Sequence, residues 1–523
     1  MHARRCLVLS LAALTSCARL DDTLSDEPSD DSVADNAPDV DDEEVADGEV
    51  PAGEVTDGQS VAAVDTESDT LGQLDEEPFD EATDLLASAA DDQAADPADP
   101  ADLGTPGFEA DDELAEADVA TSSGDNIGLD PEPVVAAAKI PTPIKYILVI
   151  VKENHTFDNY FTGFPDADTV THAEKYNRKT HTRTRITRPI APDHTLKSSP
   201  NHSHRFALDA YRGGHMDGFS VNPTSTPYIR YTETALPAYW TYAKDYVLAD
   251  HFFSTTLGPS SPGHEVFWFS RSTSLDNAKC HLAGGKGCGV GCTGNHLSIT
   301  SFNPTTGTTK SVKPCFDLPS LPDHLPNNFT WFDYGGQMAK QIKSQEHVSE
   351  KAHFASTPTL LADIKADKLH NLMIAHVSGG AYSEHPPESP CKGENFTVDV
   401  INAAMKLPEW NEMAIVVTWD DWGGFYDHVQ PTVHHAKNGA VFGNGFRLPL
   451  LVISPYARKG VVLHTRTEQA SVPKLVEQLW GMKLMSTKNA HARDGVAGSL
   501  LGAFDFNQKP RAGIHMSKRT CPK

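Results

Sequence analysis

The chain is predicted to be an α/β protein whose core is a three-layer α/β/α sandwich around a mostly parallel sheet. Three observations carry this. Short apolar runs with β-branched content recur at Tyr146 to Val151, Leu372 to Val377, Ala414 to Thr418 and Leu450 to Ser454, the composition of parallel strands buried on both faces. Helical patterns fall between and after them at Ser356 to Lys365, Asn395 to Lys406 and Ala470 to Trp480, and alternation of this kind builds a doubly wound sheet. Two of the runs lead without a break into clusters of polar side chains: Lys152 to Phe161 (K-E-N-H-T-F-D-N-Y-F) and Thr418 to Val429 (T-W-D-D-W-G-G-F-Y-D-H-V). The carboxyl ends of strands are where open α/β sheets place their ligand sites.

Charge divides the chain. Of 523 residues, 72 are acidic and 43 basic, a net charge of −29. Residues 21–138 hold 39 Asp and Glu and no Lys or Arg, whereas residues 139–523 hold 40 basic and 33 acidic residues, an excess of +7. The acidic segment is rich in Ala, Asp, Glu and Pro, cannot bury enough apolar surface to offset chain entropy, and is expected to be a disordered tether over 18–138. Ahead of it, Arg4 and Arg5, the apolar stretch Cys6 to Leu14 and L-T-S-C ending at Cys17 form a secretory signal too short to span a bilayer. L-T-S-C is similar to the lipobox of bacterial lipoproteins, which implies lipidation of Cys17 and an exported protein anchored to the cell envelope, at the outer membrane or cell surface, with secretion as the alternative.

The remaining residues, 139–523, are expected to be one large domain, or a core domain with insertions. Its six cysteines (Cys280, Cys288, Cys292, Cys315, Cys391 and Cys521) are an even number in an exported chain, which favours disulfides over zinc, with fifteen ways of pairing six thiols. The basic excess is too small, and lacks the aromatic-basic stripe, for a nucleic-acid partner.

Several residue groups carry chemistry. Glu153 and Asn154 end the first run; Asp420 and Asp421, between Trp419 and Trp422, are adjacent carboxylates that repel unless a cation or hydrogen bonds hold them. In L-G-P-S-S-P-G-H (Leu257 to His264), Ser before Pro marks a helix start, which sets Ser260 at a helix N-terminus that favours an anion. Ser261 is expected to cap that helix. His202, His385 and His428 lie in P-N-H-S-H, S-E-H-P-P and D-H-V, placed to donate to a leaving group or a phosphoryl oxygen.

Taken jointly and in this order, K-E-N-H-T-F-D-N-Y-F, P-N-H-S-H followed by G-G-H-M-D-G-F, G-P-S-S-P-G-H, S-E-H-P-P, W-D-D-W-G-G-F-Y-D-H-V and G-F-R-L-P-L-L-V-I-S-P-Y-A-R resemble the bacterial phosphoesterase family of phospholipase C and acid phosphatase members, over about residue 143 to Phe506. The resemblance implies an alkaline phosphatase-like fold and a metal-dependent phosphoric ester hydrolase acting through a phosphoserine. It implies one divalent metal (calcium, magnesium, manganese or zinc) on Glu153, Asn154, Asp420 and Asp421, Ser260 as nucleophile, and Asn154, His202 and His385 at the phosphoryl group, His385 or water protonating the leaving alcohol. The substrate would be a phospholipid or a small phosphomonoester. One departure stands out: many relatives have Asn-Arg where this chain has Gly263-His264. Two rivals are an inactive surface-anchored binding protein on the same fold, which predicts a missing ligand or nucleophile, and a sulfatase-like hydrolase, whose S-x-P-x-R motif S-S-P-G-H lacks the arginine.

Overall fold

The computed structural model describes residues 140–522 apart from 193–195, 197, 222–225, 283–286, 336–337, 348–349 and 489–490. The expected signal at 1–17, the acidic segment at 18–138 and Cys17 lie outside the described residues. At the centre is an eight-stranded sheet. Its strands are β1 (Tyr146–Lys152), β2 (Val247–Ala249), β3 (Trp331–Gly335), β4 (Phe354–Ala355), β5 (Leu372–His376), β6 (Met413–Trp419), β7 (Leu450–Ile453) and β8 (Val461–Leu463), in the order β4-β3-β5-β1-β6-β7-β2-β8. β7 runs antiparallel to both neighbours and every other pairing is parallel. The Leu450 to Ser454 run, expected to be a parallel strand, is thus corrected in direction. An apolar run specifies burial but not polarity, because a strand covered on both faces looks the same either way round.

β5, β6 and β7 are buried at every residue, which requires cover on both faces and gives the three-layer α/β arrangement. The helices of the chain include α1 (Phe157–Phe161), α2 (His204–Tyr211), α3 (Pro237–Asp245), α4 (Ser260–Phe269), α5 (Thr357–Lys365), α6 (Pro390–Ala404) and α7 (Ser471–Trp480). Of these, α2 packs in a separate cluster with Trp422, Tyr426 and Phe446, and the rest contribute to the sheet core. The starts of α3, α5 and α6 carry Pro in the first turn, where the missing N–H costs nothing.

All six domain cysteines are paired, as Cys280–Cys288, Cys292–Cys315 and Cys391–Cys521. The first two staple the insertion between α4 and β3, which carries a three-stranded antiparallel sheet (Lys279–Cys280, Leu297–Phe302, Thr309–Val312). The third ties α6 to the end of the chain across 130 residues, and closing a loop of that length stabilises by about 4 to 5 kcal/mol in the chain-entropy account. Three disulfides suit an oxidising, extracellular setting. Among the described residues, no helix is long and apolar enough to cross a membrane.

Candidate active site

β1 and β6 are adjacent and parallel, with Lys152 opposite Trp419, so the residues that follow each strand emerge side by side. Glu153 and Asn154 leave β1; Asp420 and Asp421 leave β6. The backbone turns sharply here, with Asn154 at φ 65°. Its N–H donates to Asp420 Oδ1 at 2.9 Å, and the Asp421 N–H donates to the same oxygen at 2.7 Å. Gly423 makes the turn possible, because at φ +57° a Cβ there would lie 2.1 Å from the Asn154 carbonyl. Its N–H donates to Asp421 Oδ1 at 2.6 Å.

Burial without full compensation marks the cluster. Glu153, Asn154 and Asp420 are fully buried and Asp421 nearly so. Burial, then the neighbouring Asp421 and Glu153 carboxylates, push the Asp420 pKa far above the ordinary range against a smaller opposing pull from His264. Such a site disfavours holding its charges together without a cation or added protons. Glu153, His264 and Asp420 offer ligand atoms within 4.8 Å of one another, and the donor set otherwise consists of carboxylate and amide oxygens, which fits a divalent ion.

His202 and His385 come to the same place. His202 Nδ1 is 2.9 Å from the Pro200 carbonyl and His385 Nδ1 is 2.8 Å from the Pro386 carbonyl; a carbonyl only accepts, so each Nδ1 carries a proton. Both Nε2 atoms face one corner of the Asn154 amide, at 2.9 and 3.0 Å. The other corner of the amide faces the Asp420 carboxylate at 3.2 and 3.3 Å. The two imidazole ring centroids are 5.8 Å apart.

Ser260 is the first residue of α4, buried, and its Oγ donates to Asp421 Oδ2 at 3.1 Å and lies 3.4 Å from the Asn154 amide oxygen. The expectation that Ser261 caps this helix is corrected: Pro259 is the N-cap residue, no side chain caps, and the Ser261 N–H donates to Asn277 Oδ1 at 2.8 Å. The helix begins two residues earlier than a Ser261 cap implies, and Asn277, from the following loop, takes over a free N–H. Gly263 also has a reason: a Cβ there would sit 2.1 Å from the Asp420 carbonyl, so α4 packs directly onto the end of β6.

Asp420 and Asp421 therefore stand in different surroundings, Asp420 beside Glu153 and His264, and Asp421 beside Ser260 with His202 Nε2 3.9 Å away. His428 is not brought to this site. It belongs to a separate cluster with Asp158, Asp168, Asp427 and Arg447. Sequence reasoning missed the scaffold behind His385. Lys152 and Glu384, both fully buried, pair at 3.3 Å, and the Glu384 carboxylate also accepts from Tyr160 and Tyr239 hydroxyls at 2.8 and 2.6 Å. A lysine closing an apolar strand, K-E-N-H, was the signal available. It missed His264 as well, although the departure at Gly263-His264 pointed there.

A model of the Phosphoesterase family matches residues 144–483. Phospholipase C B of Mycobacterium tuberculosis is 26% identical over 429 residues, covering 71% of this chain and 79% of its own length. Non-specific phospholipase C1 of Arabidopsis thaliana is 25% identical, covering 71% and 73%. Among solved structures, a protein in the alkaline phosphatase superfamily from Vibrio parahaemolyticus aligns over 76% of this chain and 75% of its own, at 10% identity and a TM-score of 0.30.

Proposed function

The chain belongs to the Phosphoesterase family and is a phosphoric ester hydrolase, and from that premise we propose that it cleaves phosphoesters of the phospholipase C type through a phosphoserine on Ser260. The observation that carries this is the Ser260 hydroxyl, buried at the start of α4 with its proton directed at Asp421 Oδ2, 3.1 Å away. Asp421 accepts that proton as Oγ bonds to phosphorus and the ester P–O bond breaks. The leaving alkoxide takes a proton from His385 or from water; water then attacks the phosphorus of the seryl ester, the phosphomonoester of the remaining alcohol is released, and Asp421 returns its proton to Ser260 Oγ.

His202 and His385, whose Nε2 atoms meet at the Asn154 amide, bind the phosphoryl oxygens, and the dipole of α4 favours negative charge at its N-terminus. Glu153, Asn154, Asp420 and Asp421 would hold one divalent cation, which when bound supplies charge stabilisation for the serine oxygen and a phosphoryl oxygen. In this reading the substrate is a phosphodiester such as a phospholipid, as the relatives' names suggest, and Cys17 carries a lipid that keeps the domain at the envelope surface. Hydrolysis of p-nitrophenyl phosphate, bis-p-nitrophenyl phosphate and phosphatidylcholine, each with and without chelator, tests it. Lipid and diester turnover lost on chelation is expected. Turnover of the monoester alone would make the protein a phosphatase, and chelator resistance would remove the metal.

A further inference from the structure

We infer that His264 serves the carboxylate cluster as a fixed N–H donor and positioning residue, not as a ligand, so that the cation held there is bound by oxygen alone. The inference rests on the metal-dependent reading above. His264 Nε2 lies 3.5 Å from Asp420 Oδ2 and 3.7 Å from Glu153 Oε1, fully buried and without a hydrogen-bond partner. That geometry suits either a lone pair for a metal or a proton for the carboxylates.

Two bonds behind the ring decide between them. The Trp268 indole N–H, which can only donate, points at His376 Nε2 at 3.0 Å. His376 Nε2 therefore holds a lone pair, and the one proton of that ring is on Nδ1. His376 Nδ1 in turn meets His264 Nδ1 at 2.9 Å. His264 Nδ1 must accept, which leaves its proton on Nε2, aimed between the two carboxylates. Ligation through Nε2 would require both rings to reverse, and would set the His376 Nε2–H against the indole N–H. The relay Trp268, His376, His264 is buried throughout. Asp420 Oδ1 already accepts from two backbone N–H groups; His264 is the donor on the Oδ2 side. A donor that orients a metal-binding carboxylate is worth about 10- to 100-fold in metal affinity. An all-oxygen set favours magnesium, manganese or calcium over zinc.

The test is pulsed EPR of the full chain, stripped and reloaded with Mn²⁺, together with the Mn²⁺ affinity. The wild type is expected to show no directly bound imidazole nitrogen. His264→Gln, which keeps an N–H donor, should keep that spectrum and bind within a few-fold of wild type, while His264→Leu should lose about 10- to 100-fold in affinity. Trp268→Phe, which frees the relay to reverse, should acquire an imidazole coupling. A nitrogen coupling in the wild type that vanishes in His264→Gln overturns the inference and leaves the metal reading intact. Absence of bound Mn²⁺ overturns the metal reading itself, and this role with it.

Discussion

Two buried clusters draw on the same two sequence motifs and end in opposite electrostatic conditions. K-E-N-H-T-F-D sends Glu153 and Asn154 to the active site and Asp158 to a second cluster; W-D-D-W-G-G-F-Y-D-H sends Asp420 and Asp421 to the first and Asp427 and His428 to the second. Both contain Asp and His atoms close enough to hold a metal. The second has a cation of its own: Arg447, fully buried, donates to Asp427 Oδ1 at 2.8 Å and Asp158 Oδ1 at 3.3 Å, and its remaining N–H groups reach the Asp168 and Asp250 carbonyls at 3.0 and 2.8 Å. Asp420, by contrast, is met by backbone N–H groups and an imidazole. Identical residue types thus make a structural ion network where the fold supplies a guanidinium and, in the proposed reading, a reactive site whose balancing charge a bound cation would supply.

The largest expected effect breaks the reactive half alone. Ser260→Ala should lower kcat by about a thousandfold or more while leaving folding and metal binding near wild type, as for other covalent catalysts. Phosphate trapped at low pH should be found on Ser260. A mild Ser260→Ala combined with label on Ser261 would move the site one residue along.

Truncating the built-in cation should do the reverse. Arg447→Met leaves Asp158 and Asp427 buried without their partner and should cost about 3 to 5 kcal/mol of stability in urea unfolding. Asp420→Asn is expected to raise the melting temperature of the metal-free chain while abolishing turnover, because it removes a carboxylate whose charge the apo fold disfavours. If Asp420→Asn destabilises as Arg447→Met does, the contrast between the clusters fails.

The second cluster also sets a pH dependence. Burial lowers the His428 pKa, but the hydrogen bond and charge of Asp158 outweigh it and hold the pKa above the ordinary 6.5. A raised histidine contributes stability that is complete below its unfolded value and is lost as pH rises through its folded value. Asp158 is held below its ordinary 3.8, burial being outweighed by His428 and Arg447, so its contribution is lost as pH falls below that value. The contribution of this pair to the unfolding free energy should accordingly plateau between about 3.8 and 6.5 and decline above, and the difference in unfolding free energy between wild type and His428→Asn, measured across pH, should show that profile.

What was legible in the sequence follows from the same physics. Apolar runs located β1, β5, β6 and β7 to within a residue or two, because burial on both faces demands them. The direction of β7 was not legible, since polarity leaves no mark on a buried strand. Adjacent carboxylates at strand ends announced the cluster, and Ser-Pro announced the helix. The partners that sort these groups, Arg447 for one cluster and the Trp268–His376–His264 relay for the other, come from distant segments, and local sequence does not say which cluster each joins. His428 was drawn toward the active site only because it shares a motif with Asp421.

The smallest effect concerns the residue beside the nucleophile. Sequence chemistry alone makes Ser261 the cap of α4, and losing a cap costs about 1 kcal/mol. In the structure its side chain caps nothing, and the N–H bonded to Asn277 Oδ1 belongs to the backbone, which any substitution but Pro retains. Ser261→Ala should therefore change stability by less than about 0.5 kcal/mol, the range of ordinary surface replacements. Asn277→Ala, which strips a partner from a helix N-terminal N–H, should cost more than Ser261→Ala. Urea unfolding of the two variants side by side decides it: a larger loss for Ser261→Ala would return the cap to Ser261 and shift the helix start by two residues, from Ser260 to Pro262, and with it the orientation of Ser260.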